Sequence, residues 1–156
     1  MTTPVRHPEL PPVLQRVLGG QDLQLMIGRC GQLITIDQSG SPHAALLSFG
    51  EVIATDARTI RLGLPHDGIS AEHLRRTPRA LLSVVYGPVA YGVQGDVEPL
   101  PASSAVSQAR FIMRVTGVTE DRPDGRHLTS GITYAPSRRT REVLADWEQS
   151  LAALVE

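Results

Sequence analysis

The chain has 156 residues, 41% hydrophobic and 20% charged, with a net charge of -1; this is the profile of a globular chain able to bury a core, and it excludes wholesale disorder and an overall field for nucleic acid or an anionic membrane. Every basic residue is an arginine, so a phosphate site here must use guanidinium groups, hydroxyls or backbone amides. The single cysteine, Cys30, excludes an intrachain disulfide and by itself a cysteine-rich zinc site, no run approaches the roughly 18–20 apolar residues of a membrane helix, and Met1–Pro12 lacks an apolar signal core, so one cytoplasmic domain spanning 1–156 is expected.

Pro4, Pro8, Pro11 and Pro12 make the first twelve residues an extended lead-in rather than a regular element. Val13, Leu14, Val17 and Leu18 have one-face helical spacing before Gly19-Gly20, which predicts a short helix over about 10–19. A second apolar group, Leu23 to Ile27, extends helical character toward Gly28 or Gly31. From Gln32 the period becomes two: Leu33–Ile36, a turn over Asp37–Gly40, and His43–Phe49 form a hairpin, which Glu51–Thr55 continues past a bend at Gly50. Thr59–Leu64 adds a third strand.

Pro65–Gly68 breaks that strand, and Ser70 or Asp67 is placed to cap a short helix ending near Pro78. Arg79–Tyr86 reads as a strand buried on both faces, and Val89–Glu98 shows the cleanest alternation in the chain. Residues 102–108 suit one or two helical turns, Phe111–Val118 alternates again, and Leu128–Tyr134 closes a β region over about 31–135. Val143, Leu144, Trp147, Leu151 and Leu154 put an apolar stripe on a terminal helix over about 138–154, with Trp147 as its packing anchor. Six or seven antiparallel strands with short helices between them suit a small barrel, mainly β with helices (α+β), that hides strand edges by curling on itself.

Three stretches fall in an order that resembles a known family: Ser39-Gly40-Ser41-Pro42-His43, then His73-Leu74-Arg75-Arg76-Thr77-Pro78-Arg79, then Val93-Gln94-Gly95-Asp96-Val97-Glu98. The resemblance is to the pyridoxamine 5'-phosphate oxidase-like family, whose fold is the FMN-binding split β-barrel, and it covers about residues 20–135. It implies a homodimer with FMN sites at the subunit interface, the phosphate held near the second strand and at the start of the short helix, and strand backbone facing the flavin ring. On this chain those positions are Leu46, Leu47, Ser48, Leu64, Pro65, His66, Gly68, Ser70 and His73. The basic Ser-Arg-Lys type segment of the family falls at Gly68-Ile69-Ser70, without its cations, which argues against pyridoxamine 5'-phosphate oxidase activity itself.

The expected function is therefore that of an FMN-binding protein, a flavin-dependent oxidoreductase acting on a small organic substrate. The alternative is a non-enzymatic barrel that has lost FMN or holds another ligand such as haem or deazaflavin. His66, Asp67 and His73 have no metal-ligand spacing, and no metal is expected. Neutral charge and few aromatics leave no nucleic-acid or membrane partner in prospect. Ser48 lacks the strand-to-helix elbow of a nucleophile, and Glu51 close to it is a candidate buried carboxyl.

Overall fold

The computed structural model of the protein describes residues 4–103 and 107–156. Among them are strands β1 (Val5–His7), β2 (Arg29–Ile36), β3 (Pro42–Leu47), β4 (Val52–Asp56), β5 (Thr59–Leu64), β6 (Arg79–Tyr86), β7 (Val89–Pro99), β8 (Ala109–Asp121) and β9 (Ile132–Thr133), with helices α1 (Pro12–Val17), α2 (Ile69–Arg76) and α3 (Thr140–Leu154). Seven strands form one curled antiparallel sheet in the order β3-β2-β6-β7-β8-β5-β4, the split β-barrel expected from the sequence. The short strands β1 and β9 attach to β8 and β2.

The curl has a sequence basis. β8 pairs with β7 along its length, while its other side is shared between β5 over Ala109–Arg114 and β1 over Val118–Glu120. At Gln94/Gly95 the register shifts because β8 carries the extra residue Thr116, and this bulge bends β8 against β7. A Cβ on Gly95 would lie 2.7 Å from the Arg114 carbonyl oxygen, so the bend needs glycine there. Inward residues Leu33, Leu82, Val93 and Val118 stand side by side across four strands, each 1% exposed or less, and form the barrel core.

Several expectations are corrected. Residues 5–7 of the proline-rich lead-in form β1, because pairing with β8 supplies hydrogen bonds that no local pattern reveals. The first helix is trimmed to Pro12–Val17, and Leu23–Met26 is a separate 3₁₀ turn. β4 does not continue β3: Ser48–Glu51 forms a tight turn, closed by Glu51 N donating to Ser48 O (3.1 Å), and β3 and β4 lie at opposite ends of the strand order. β6 is not buried on both faces, since Ala80, Leu82 and Val84 are buried while Leu81, Ser83 and Val85 are half-buried on the outer face. Of Leu128–Tyr134 only Ile132–Thr133 is strand. The turn expected over 102–108 falls partly on residues 104–106, outside the described residues, and Ala102 and Ser103 are not helical.

α3 lies as its stripe predicts, with Trp147, Leu151 and Leu154 buried. Trp147 rests on Gly50, where a Cβ would overlap the indole. No helix among the described residues is long and apolar enough to cross a membrane.

Candidate functional site

The site is built where β5 hands the chain to α2. β5 ends at Leu64, Gly68 N donates to Pro65 O (3.0 Å), and α2 begins at Ile69 with Gly68 as its N-cap. The cap is therefore neither Ser70 nor Asp67, and no side chain accepts from the first turn. The amides of Ile69, Ser70 and Ala71 precede the first intrahelical bond, which Glu72 N donates to Gly68 O (3.2 Å). Ser70 is 8% exposed, and its hydroxyl takes part in none of the side-chain hydrogen bonds seen among the described residues.

These groups face a cleft of about 320 Å³ between the C-terminal half of β3, the end of β5 and the start of α2. Leu47, Leu64 and Ala71 give it an apolar floor, Leu46 stands 65% exposed at its rim, and His43, Glu51 and Ser70 are its polar lining. Of the expected site residues, Leu46, Leu47, Leu64, Pro65, Gly68 and Ser70 meet here. Ser48 turns aside and donates its hydroxyl to Glu51 Oε1 (2.9 Å).

The two histidines go elsewhere. His66 is exposed, its carbonyl accepting from Arg75 Nη1 and Nη2 (both 3.2 Å) and its Nδ1 lying 3.3 Å from Arg75 Nη2, so Arg75 fastens the turn before α2 instead of entering the cleft. His73 faces the inner side of β2, Nδ1 lying 2.9 Å from Thr35 Oγ1, with its ring edge-on to His43 at 5.7 Å between centroids. That side of α2 opens on a second hollow of about 340 Å³ at the β2–β3 turn, lined by Asp37, Ser39, Glu72, His73 and Arg76. Asp37 is held below the ordinary carboxylate range, chiefly by the Ser39 hydroxyl and then by the Ser41 amide.

Glu51 is the cleft's one carboxyl. Burial pushes it above the ordinary glutamate range, against the opposing pull of its hydrogen bonds with Ser48. Its place was legible as a carboxyl near Ser48; that it lines the same cleft as Ser70 was not, because the turn at 48–51 and the start of α2 meet only through the fold. The chemistry on offer is clear: three free amides and a hydroxyl suit an anion's oxygens, apolar walls suit a ring, and neither guanidinium nor ammonium lines the cleft. The residues therefore fit a flavin carrying a phosphate through hydrogen bonds and the helix N-terminus rather than through charge pairing. Among the described residues no group of three or more His, Cys, Asp or Glu side chains is arranged to hold a metal.

No protein-family model matches the chain. The uncharacterised protein YclD of Bacillus subtilis strain 168 is 32% identical over 124 residues, which cover 78% of this chain and 80% of YclD. Among solved structures, a proposed pyridoxamine 5'-phosphate oxidase from Lactobacillus delbrueckii superposes with a TM-score of 0.58 at 14% identity, over 75% of this chain and 98% of that one. HupZ from Group A Streptococcus gives 0.51 at 16% identity over 74% of this chain and 98% of its own. Rv2991 from Mycobacterium tuberculosis gives 0.51 at 16% identity over 78% and 92%. At such identities the structures establish the fold, and YclD establishes kinship: the chain belongs to the family of YclD and has the fold of the pyridoxamine 5'-phosphate oxidase-like split β-barrels.

Proposed function

We propose that the protein is a cytoplasmic homodimer that binds a flavin, FMN or a close relative, in the cleft between β3, β5 and α2, and acts as a flavin-dependent oxidoreductase on a small organic substrate. It has no nucleic-acid or membrane partner in this reading. The observation that carries it is Ser70: a largely buried residue, with no side-chain hydrogen bond among the described residues, at the open N-terminus of a helix and lining a cleft with apolar walls. When bound, the flavin supplies hydride transfer, and the chain supplies position and electrostatics.

Each part of the cleft has a task. The Ile69, Ser70 and Ala71 amides with Ser70 Oγ hold the phosphate oxygens. β3 ends the strand order, so the edge not paired with β2 offers backbone groups to the ring's polar edge. Dimerisation is supported by the outer face of β2, β3, β6 and β7, where Ile34, Ile36, Pro42 and Leu81 form an apolar centre in a hollow of about 510 Å³ edged by Arg79, Gln94 and Asp96. An apolar centre with a polar edge is what an interface between copies buries.

A second reading, a barrel that has lost FMN or holds haem or deazaflavin, is favoured by one specific observation: no arginine among the described residues lines the cleft. Thermal-shift titration with FMN, riboflavin, haem and deazaflavin separates the two. The flavin reading predicts a saturable rise in Tm with FMN that Ser70→Asp abolishes by placing a negative charge at the phosphate seat. A rise with haem or deazaflavin alone gives the second reading.

A further inference from the structure

The cleft's single carboxyl has no place in anion binding, yet it is built in. Glu51 closes the turn between β3 and β4 with its amide on Ser48 O (3.1 Å), its own carbonyl accepts from Gly63 N (2.9 Å), and Ser48 Oγ fixes its side chain. The turn is pinned from behind by Trp147 of α3 against Gly50. Glu51 and Ser70 line one cleft of about 320 Å³, small enough for a charge on Glu51 to act on an anion held at Ser70 without full screening by salt. Among the described residues, His43 of β3 is the only other titratable one lining the cleft; His66 and Asp67 of the turn before α2 and Glu72 of α2 lie outside it.

We propose that Glu51 is a specificity-determining residue of this cleft, a charge filter that, when ionised, weakens the binding of dianionic head groups relative to uncharged or singly charged ones. The proposal rests on the flavin reading only in sharing its cleft. It makes FMN a poorer ligand than the geometry of the anion seat alone would allow, and it leaves riboflavin, which has no phosphate, unaffected. The raised proton affinity of the half-buried carboxyl places the onset of this discrimination above the ordinary glutamate range.

Glu51→Gln is the direct test, since the amide oxygen still accepts from Ser48 and the shape is kept; its Tm without ligand checks folding. Affinities for FMN and riboflavin are measured from pH 5 to 8.5 for both proteins, together with the Tm rise induced by inorganic phosphate. The expected result is that Glu51→Gln binds FMN on the order of tenfold more tightly at pH 8, the scale of one like-charge contact across a partly screened cleft. The gain shrinks toward pH 5 and is absent for riboflavin. His43 and the FMN phosphate are common to both experiments, so the difference between the two curves isolates Glu51. Equal FMN affinities across the range, or an equal gain for riboflavin, would overturn the filter. If neither flavin binds either protein while phosphate raises Tm more in Glu51→Gln, the flavin reading falls and the filter stands; no response to flavin or phosphate in either protein sinks both.

Discussion

His73 Nδ1 lies 2.9 Å from Thr35 Oγ1, and this hydrogen bond ties the helix that opens the cleft to the inner face of β2. Thr35 is 0% exposed, whereas His73 is half-buried and has water within reach. Losing the histidine therefore strands a buried hydroxyl, while losing the hydroxyl leaves a nitrogen that can hydrate. His73→Phe is expected to cost about 1–3 kcal/mol and Thr35→Val about 1 kcal/mol, with the double substitution costing less than the sum. Urea unfolding of the three variants measures this.

Trp147 is the only tryptophan in the chain and sits where a Cβ on Gly50 would be. Gly50→Ala must displace the indole, with an expected loss of about 1–3 kcal/mol, as overpacking of a filled site produces. A red shift of the Trp147 emission accompanies it. Unchanged emission and stability would show that α3 does not bear on the turn at 48–51.

Burial raises the Glu51 carboxyl above its ordinary value, so the folded chain keeps that proton to higher pH than the unfolded chain. The stabilising preference is complete below the ordinary glutamate range and is lost as pH rises through the raised folded value. Glu51→Gln removes the proton site, so its stability relative to the native protein improves from pH 4 to pH 8. Denaturant midpoints across that range give the comparison, and parallel profiles would contradict it.

Ser70→Ala removes the hydroxyl from the anion seat but leaves the amides. FMN affinity is expected to fall about tenfold, the scale of one hydrogen bond to a charged group, with riboflavin affinity unchanged. Equal losses for both flavins would place Ser70 against the ring or chain instead of the phosphate. Isothermal titration distinguishes the two.

Ile34 and Leu81 are neighbours across β2 and β6 on the outer face, both half-buried. Leu81→Asp places a charge in the proposed subunit contact and is expected to give a folded monomer that has lost flavin affinity. Sedimentation with and without flavin reports both. A native protein that is already monomeric would remove the interface from the account.

What could be read in advance followed from local rules. β7 alternates without interruption, and α3 carries its stripe at spacings of three and four, so both were legible to within a few residues. β1 was not, because three residues among prolines become a strand only by meeting β8. The separation of β3 from β4 was hidden for the same reason: Ser48-Phe49-Gly50-Glu51 reads as a bend, and nothing local says that the strand beyond it pairs with β5 alone. At the site, the Pro65–Ser70 segment was legible as a break and a helix start, but the choice of Gly68 as cap, which leaves Ser70 free, is a backbone outcome. His66 and His73 looked equivalent in sequence, seven residues apart around a helix start. The fold sends one to Arg75 and the other to Thr35, and neither lines the cleft.

The visible absorption spectrum of the protein after incubation with excess FMN and removal of free flavin tests the central claim most directly. The expected result is a retained flavin band, near one flavin per chain, that Ser70→Asp eliminates without loss of folding. Absence of any retained band, with no change in Tm on adding FMN or riboflavin, would contradict it.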